Sequence, residues 1–463
     1  MSERIEEREA GLKRELTVRL LWMIAIGQSV GTGLFLGSGV SVQMAGPGVI
    51  FSYLIGAGIT LLVMWALSDM TVAHPMAGSF GAYAEHYLNP WAGWVTRYTY
   101  CMAQVNAVGS QIVAVAIYCR YWFPSVPAWI WIGLFSIALL CVNALNVGKF
   151  GEFEFWFSLI KVVAILLFIL FGIGLFLGIG ATRQGTENYT AHGGFLPRGW
   201  LGVWSAVTMA IFSFYGLESA AISSGEAKQP QITVPSALRR TLLGLTFFYL
   251  ASVAILIGIV PWNLTGIHES PFVKVYQTMG VPGAAGWMNF VVLTAALSSI
   301  NSNLYVTSRM LFSLSRSGQA PALLGRLNGR GVPRNAILFS GLGLAAAAAV
   351  HGIFSDTAFV YMLGAALFGG IFCWIMILVT HLRFRGAFMA RGSLLGLCLL
   401  LAVLITMGFI PQMRVSWVAG VPWLAAISLA FKLARRKRLT ADHDRPENGP
   451  TTEHRTPQIG GEV

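Results

Sequence analysis

Charge is scarce in this chain. Asp, Glu, Lys and Arg make up 11% of its 463 residues while 56% are hydrophobic, and a soluble protein would carry roughly twice that charged fraction. With a mean hydropathy of +0.67, a soluble globular protein is excluded and a polytopic membrane protein remains. Cysteine is also sparse. The five (Cys101, Cys119, Cys141, Cys373 and Cys398) are odd in number and lie in or beside apolar runs, so they read as small buried side chains rather than disulfides or metal ligands. None of the eight histidines falls mid-span and there is no HExxH motif, which leaves hydrolytic or metal chemistry at membrane depth without its parts. We expect no enzyme, no metal and no cofactor.

Acidic residues number 19 against 31 Lys and Arg, a net charge of +12. Such a balance can signal nucleic acid, but the basic positions follow topology instead. If the N-terminus is cytoplasmic, 25 of the 31 basic residues fall on the cytoplasmic side, five face outward and Lys161 lies inside a span. That bias obeys the positive-inside rule, and an even number of spans puts both termini in the cytoplasm. The expectation is a multi-pass protein of the cell (inner) membrane. Its charged N-terminus, SERIEEREAGLKREL, precedes a span with no small-residue cleavage site, so it does not read as a signal peptide.

Hydrophobic runs bounded by Gly, Pro or charge fall at 20–44, 48–72, 93–119, 128–147, 153–180, 201–226, 238–260, 283–312, 335–354, 357–381, 393–410 and 416–432. At about 20 apolar residues per span this is an all-α protein of about twelve transmembrane helices. The expected organisation is a cytoplasmic segment 1–19, a membrane domain 20–432 and a charged, Pro/Gly-rich tail 433–463 that reads as disordered. The longest connections are expected at Ala181–Gly199 and Ser313–Asn335.

Two runs are interrupted. Met23 to Ser41, MIAIGQSVGTGLFLGSGVS, holds Gly27, Gly31, Gly33, Gly37 and Gly39, each costing roughly 1 kcal/mol of helix stability relative to alanine. One reading is packing, since Gly27 to Gly31 and Gly33 to Gly37 have small-xxx-small spacing. The other is a helix that stops and restarts at Gly31, Thr32 and Gly33, exposing backbone groups to a polar cavity. The sixth run, FSFYGLESAAISSGEAKQP, places Gly216 and Glu218 mid-span. A carboxyl there costs several kcal/mol unless it faces a polar interior, which favours a functional group over a helix-to-helix hydrogen bond. The two breaks lie five spans apart. An odd separation sends the two units through the membrane in opposite directions, as inverted repeats require, and paired broken helices point to a transporter site.

Lys161, in FSLIKVVAILLFIL, is the other ion inside a span. Snorkelling is the plain alternative, but about nine residues, or about 13 Å of helix, separate it from the start of its run. Its protonation then depends on the cavity around it, which suits a coupling role. Glu152, Glu154, Asp69 and Glu226 sit at run ends and read as solvated or capping charges.

These segments together resemble the amino acid transporter family of the amino acid-polyamine-organocation superfamily, from Leu12 to about Leu433. MIAIGQSVGTGLFLGSG is similar to the family's first segment, HPMAGSFGAYAEHYLNPWAGW to its second loop and EFEFWFSLIKVVAI to its fifth segment. FYGLESAAISSGEAKQPQITVPSA is similar to the sixth, and LSSINSNLYVTSRMLFSLSRSGQAP with RGVPRNA to the eighth and the loop after it. The resemblance implies a leucine-transporter-like fold, with two inverted five-helix repeats (about 20–180 and 201–381), helices 1 and 6 broken, and two peripheral helices at about 393–432. It implies import of L-amino acids, in most members with protons.

Residue by residue, the resemblance implies that Gly31, Thr32 and Gly33 form the unwound segment that takes a substrate carboxylate. A half-helix starting near Leu34 would present free N–H groups to that anion. It further implies that the carbonyls of Ser29, Phe212 and Tyr215 take the amino group, that Phe212 gates the site, and that Lys161 stands where relatives hold a sodium ion. Gly216 and Glu218 complete the expected substrate site, with Lys161 and Glu218 the candidates for proton coupling. Where many members carry an acid in the third segment, this chain has Gln111, which leaves little negative charge for a second ammonium and favours neutral substrates. An exchanger remains an alternative to a symporter. A channel or a transporter-derived sensor fits less well, since a closed midplane site slows flux and only about thirty residues follow Lys432. The expected partners are an L-amino acid, protons and the lipid bilayer, with no nucleic acid.

Overall fold

The computed structural model describes residues 17–74, 78–143, 147–178, 187–223, 227–266, 269–278, 280, 282–328, 332–355 and 357–443. It is helical throughout, and no strand occurs among the described residues. Among the described residues, ten helices are long and apolar enough to cross a membrane, and two shorter apolar ones, Leu21–Phe35 and Ala128–Asn143, bring the set to twelve.

The first segment is in three pieces: α1 (Val18–Ser29), α2 (Thr32–Phe35) and α3 (Gly37–Ala45). It is followed by α4 (Val49–Ala73), the short connecting helix α5 (Ser79–Tyr87), α6 (Pro90–Cys119), α7 (Ala128–Asn143) and α8 (Val147–Phe176). The second half of the bundle opens on another broken segment, α9 (Gly199–Phe214) and α10 (Ser219–Ile222). It continues through α11 (Pro230–Ile259), the loop helix α12 (Pro271–Thr278), α13 (Ala284–Arg316), α14 (Arg334–Ser340) with α15 (Leu342–Ile353), and α16 (Ala358–Arg385). The peripheral pair is α17 (Arg391–Phe409) and α18 (Val415–His443). These are two five-span halves plus two outer helices, with spans 1 and 6 interrupted.

Local chemistry accounts for the ends. Asn89 caps α6, its side chain accepting the Ala92 N–H at 2.9 Å, and Pro90 occupies the first turn, where its missing N–H costs nothing. Burial separates centre from rim. The most apolar stretches of α6, α13 and α16 are 78, 83 and 89% buried, while that of the final span is 11% buried. On α8 the side chains of Trp156, Ile160, Val163, Leu167 and Leu170 are exposed, the apolar face that a helix turns toward lipid. Lys161, on the same helix, is fully buried.

Several boundaries differ from expectation. Helix α8 starts at Val147 rather than 153, and α13 runs on to Arg316, shortening the loop after it. The last helix extends to His443, past the expected end at 432. Asp69 is not a free end charge: Arg385 grips it at 2.6 and 2.7 Å and the buried His381 meets it at 2.9 Å, clasping α4 to α16. Glu226 and the side chain of Glu152 lie outside the described residues.

Candidate functional site

Helix α1 ends because its hydrogen-bond ladder runs out at the glycines. The last rung joins the Val30 N–H to the Ile26 carbonyl at 2.8 Å. Gly31 adopts φ −145, ψ −143, and a new turn starts at Thr32. A broken helix leaves its final carbonyls without N–H partners, and inside a membrane protein each needs a donor from elsewhere. Three successive carbonyls find one on three different helices. Lys161 Nζ of α8 donates to the Gly27 carbonyl at 2.6 Å. Ser299 Oγ of α13 donates to the Gln28 carbonyl at 2.9 Å, and the Tyr249 hydroxyl of α11 donates to the Ser29 carbonyl at 3.1 Å. The single O–H of Tyr249 is shared with the Ser213 carbonyl in α9, the nearer acceptor at 2.7 Å, so one phenol lies between the ends of both broken helices.

The second break is a β-like Tyr215 (φ −64, ψ 137) followed by Gly216 at φ +107, a left-handed backbone that favours glycine. Space demands glycine there as well, since a Cβ on Gly216 would lie 2.8 Å from Gln28 Cγ. Gly33 is held in the same way, its Cβ position falling 3.0 Å from Ser213 Cα and 3.1 Å from Phe212 Cδ1. The breaks thus press into one another, Gly33 on α9 and Gly216 on α1. Between them is a cavity of about 10 Å³ lined by residues that include Ser29, Gly31, Thr32, Gly33, Phe212 and Tyr215.

Six of the eight expected substrate residues therefore line one cavity. Gly216 sits at its edge against Gln28, and Glu218 lies behind it. The Glu218 carboxylate is fully buried and accepts from the Gly216 N–H (3.2 and 3.3 Å), the Trp374 indole (3.4 Å) and the Tyr100 hydroxyl (3.4 Å). Gln111, read from sequence as bearing on substrate charge, also lines the wall, and the rest of it was not expected from sequence: Gln28, Ala107 and Asn303. The first half-helix also starts earlier than expected, at Thr32 rather than near Leu34, and is interrupted again at Leu36. The Ser29 carbonyl, expected to face an amino group, carries the Tyr249 hydroxyl.

Lys161 belongs to a second polar cluster behind α1. Ser158, on the same face of α8, donates to the Met23 carbonyl at 3.0 Å, one helical turn before Gly27. Glu154 is fully buried, which corrects its reading as an end charge. The reason is the early start of α8, which carries Glu154 two turns into the helix. Its Oε1 accepts from Ser298 Oγ at 2.7 Å while Oε2 has no hydrogen-bond partner. A Cβ on Gly27 would collide with that carboxylate. One face of α8 thus presents a buried acid and a buried amine to α1, and the C-terminal end of α1 is the end that favours a cation.

A membrane bundle whose two broken helices meet at a small buried cavity has the architecture of a solute carrier. Relatives of known class narrow this further. Residues 21–443 match the family described as "Amino acid permease". The chain is 38% identical over 451 residues to the amino-acid permease RocC of Bacillus subtilis (strain 168), covering 92% of this chain and 96% of RocC. It is 37% identical over 434 residues to the aromatic amino acid transport protein AroP of Escherichia coli (strain K12), covering 91% and 95%. The chain belongs to the amino acid permease family. It is a multi-pass membrane transport protein and not an enzyme.

Proposed function

We propose that this protein imports neutral L-α-amino acids across the cytoplasmic membrane by proton symport, alternating access to the cavity between the two breaks, with both termini in the cytoplasm. The observation that carries the reading is the meeting of Gly31–Gly33 with Phe212–Gly216 around one buried cavity. Backbone N–H groups at the restart near Thr32 suit a carboxylate, and the carbonyls of Phe212 and Tyr215 suit an ammonium. No Asp, Glu, Lys or Arg is among the cavity-lining residues, which supports a neutral side chain, because a second ammonium would be desolvated without a counter-ion.

Coupling is assigned to Lys161 and Glu218. Protonated, Lys161 acts as a fixed cation that holds the end of α1 to α8; neutral, it loosens that hold and the cytoplasmic side can open. Glu218, donated to by neutral groups from three elements, is another titratable group at depth.

The test is uptake of a panel of labelled amino acids into proteoliposomes, with and without an imposed proton gradient. Accumulation should follow the gradient and require both charged groups of the substrate. Amidated and deaminated analogues that compete as well as the parent amino acid would show that the site has been misread.

A further inference from the structure

The cavity wall contains a ring of hydrogen bonds that begins and ends on one residue. Gln28 Nε2 donates to Asn303 Oδ1 at 2.7 Å, and Asn303 Nδ2 donates to Gln111 Oε1 at 3.1 Å. Gln111 Nε2 donates to Ser299 Oγ at 3.0 Å, and Ser299 Oγ returns to the Gln28 backbone carbonyl at 2.9 Å. The donor-to-acceptor sequence is consistent all the way round, so every amide orientation in the ring is set by its neighbours. Each carboxamide has two N–H groups, and the ring uses one. The side chains of Gln111 and Asn303 thus present spare N–H capacity, already oriented and without charge.

Acceptors are also spare at the same cavity. Gln28 Oε1, Ser29 Oγ, Thr32 Oγ1 and the Tyr215 hydroxyl are buried and make no hydrogen bond. Gln28, Ser29 and Thr32 are 3, 4 and 0% exposed. Buried polar atoms without partners are costly, and four around one cavity require an explanation. The α-carboxylate and ammonium of an amino acid would engage the backbone groups at the two breaks, leaving the side-chain amides and hydroxyls for the substrate's own side chain. An apolar side chain would seal these atoms off unpaired. A charged one would find no counter-ion. The ring also lies close to the break, since a Cβ on Gly31 would meet Ser299 Oγ at 2.7 Å, so a side chain that reaches the ring from the break is a short one.

We infer that the Gln28–Asn303–Gln111 amide ring is the side-chain specificity site and that it selects L-amino acids with a short, uncharged, hydrogen-bonding side chain, a hydroxyl or a carboxamide. The inference rests on the reading of this cavity as an amino acid site. It goes beyond that reading in predicting discrimination between isosteres.

The experiment is competition for uptake in proteoliposomes by matched pairs, threonine against valine and asparagine against leucine. The polar member of each pair should compete at least about tenfold better in the native protein, since a site built to hydrogen-bond a substrate group rejects the analogue lacking it. In Asn303→Leu that preference should shrink to within about threefold. Valine and leucine matching their polar partners in the native protein would overturn the inference, and that comparison needs no variant to fold. So would an equal loss for both members of each pair in Asn303→Leu, which would make the ring a scaffold only. Either result with an intact requirement for the α-carboxylate and amine leaves the carrier reading standing. Competition by analogues lacking those groups would remove the carrier reading itself.

Discussion

Replacing Lys161 by methionine isolates the coupling assignment, because methionine keeps most of the length and volume of the buried side chain and deletes the titrating ammonium. The structure sets the size of the effect. The 2.6 Å bond from Nζ to the Gly27 carbonyl is a charge-assisted hydrogen bond at full burial, and such bonds contribute about 1.5–3 kcal/mol. If this bond is made only while α1 lies against α8, its loss moves the balance between closed and open arrangements by roughly ten- to one-hundredfold toward open. Lys161 does not line the cavity, so the dissociation constant for substrate should change by less than about threefold, apart from that shift in populations. The assay has two arms, gradient-driven accumulation in proteoliposomes and equilibrium substrate binding to purified protein. Lys161→Met should bind but not accumulate, and its uptake with an imposed gradient should fall to the level without one. Accumulation that still follows the proton gradient at the normal rate would refute the assignment, and the coupling role would then pass to Glu218.

Three further substitutions probe the same architecture. Gly216→Ala combines a φ of +107 with a Cβ 2.8 Å from Gln28 Cγ; it should cost about 1–3 kcal/mol, read as a lowered melting temperature in a thermal-shift assay, with uptake lost. Gln111→Glu is nearly isosteric and keeps the acceptor for Asn303 Nδ2 while adding a carboxylate to the wall, so lysine or ornithine should begin to compete in uptake where the native protein excludes them. The buried Arg97 joins α6 to Glu85 of α5 at 2.8 Å and to Gln319 after α13 at 2.8 Å. Arg97→Ala should destabilise this end of the bundle by about 3 kcal/mol, read as faster labelling of a cysteine introduced at Ala107 in the cavity wall.

The two breaks were legible because they are local. A backbone needing φ +107 at Gly216, or having no room for a Cβ at Gly33, writes glycine into the sequence at that position. The partners of the broken ends leave no such mark. Lys161 and Gly27 are 134 residues apart, Tyr249 and Ser29 220, and Ser299 and Gln28 271, and nothing near either member names the other. Glu154 was misread for a different reason. Its depth depends on where α8 begins, and six residues of error at a helix start moved a buried acid to the surface. Counting would have helped more than pattern. A break after Ser29 orphans the carbonyls of Gly27, Gln28 and Ser29, and orphaned carbonyls inside a bundle require donors. Buried donors are spread over the inner helices, and Lys161, Tyr249 and Ser299 are the ones that meet these carbonyls. The polar residues of the buried helices can therefore be sought as the complement of the broken backbone, before any is assigned to a substrate.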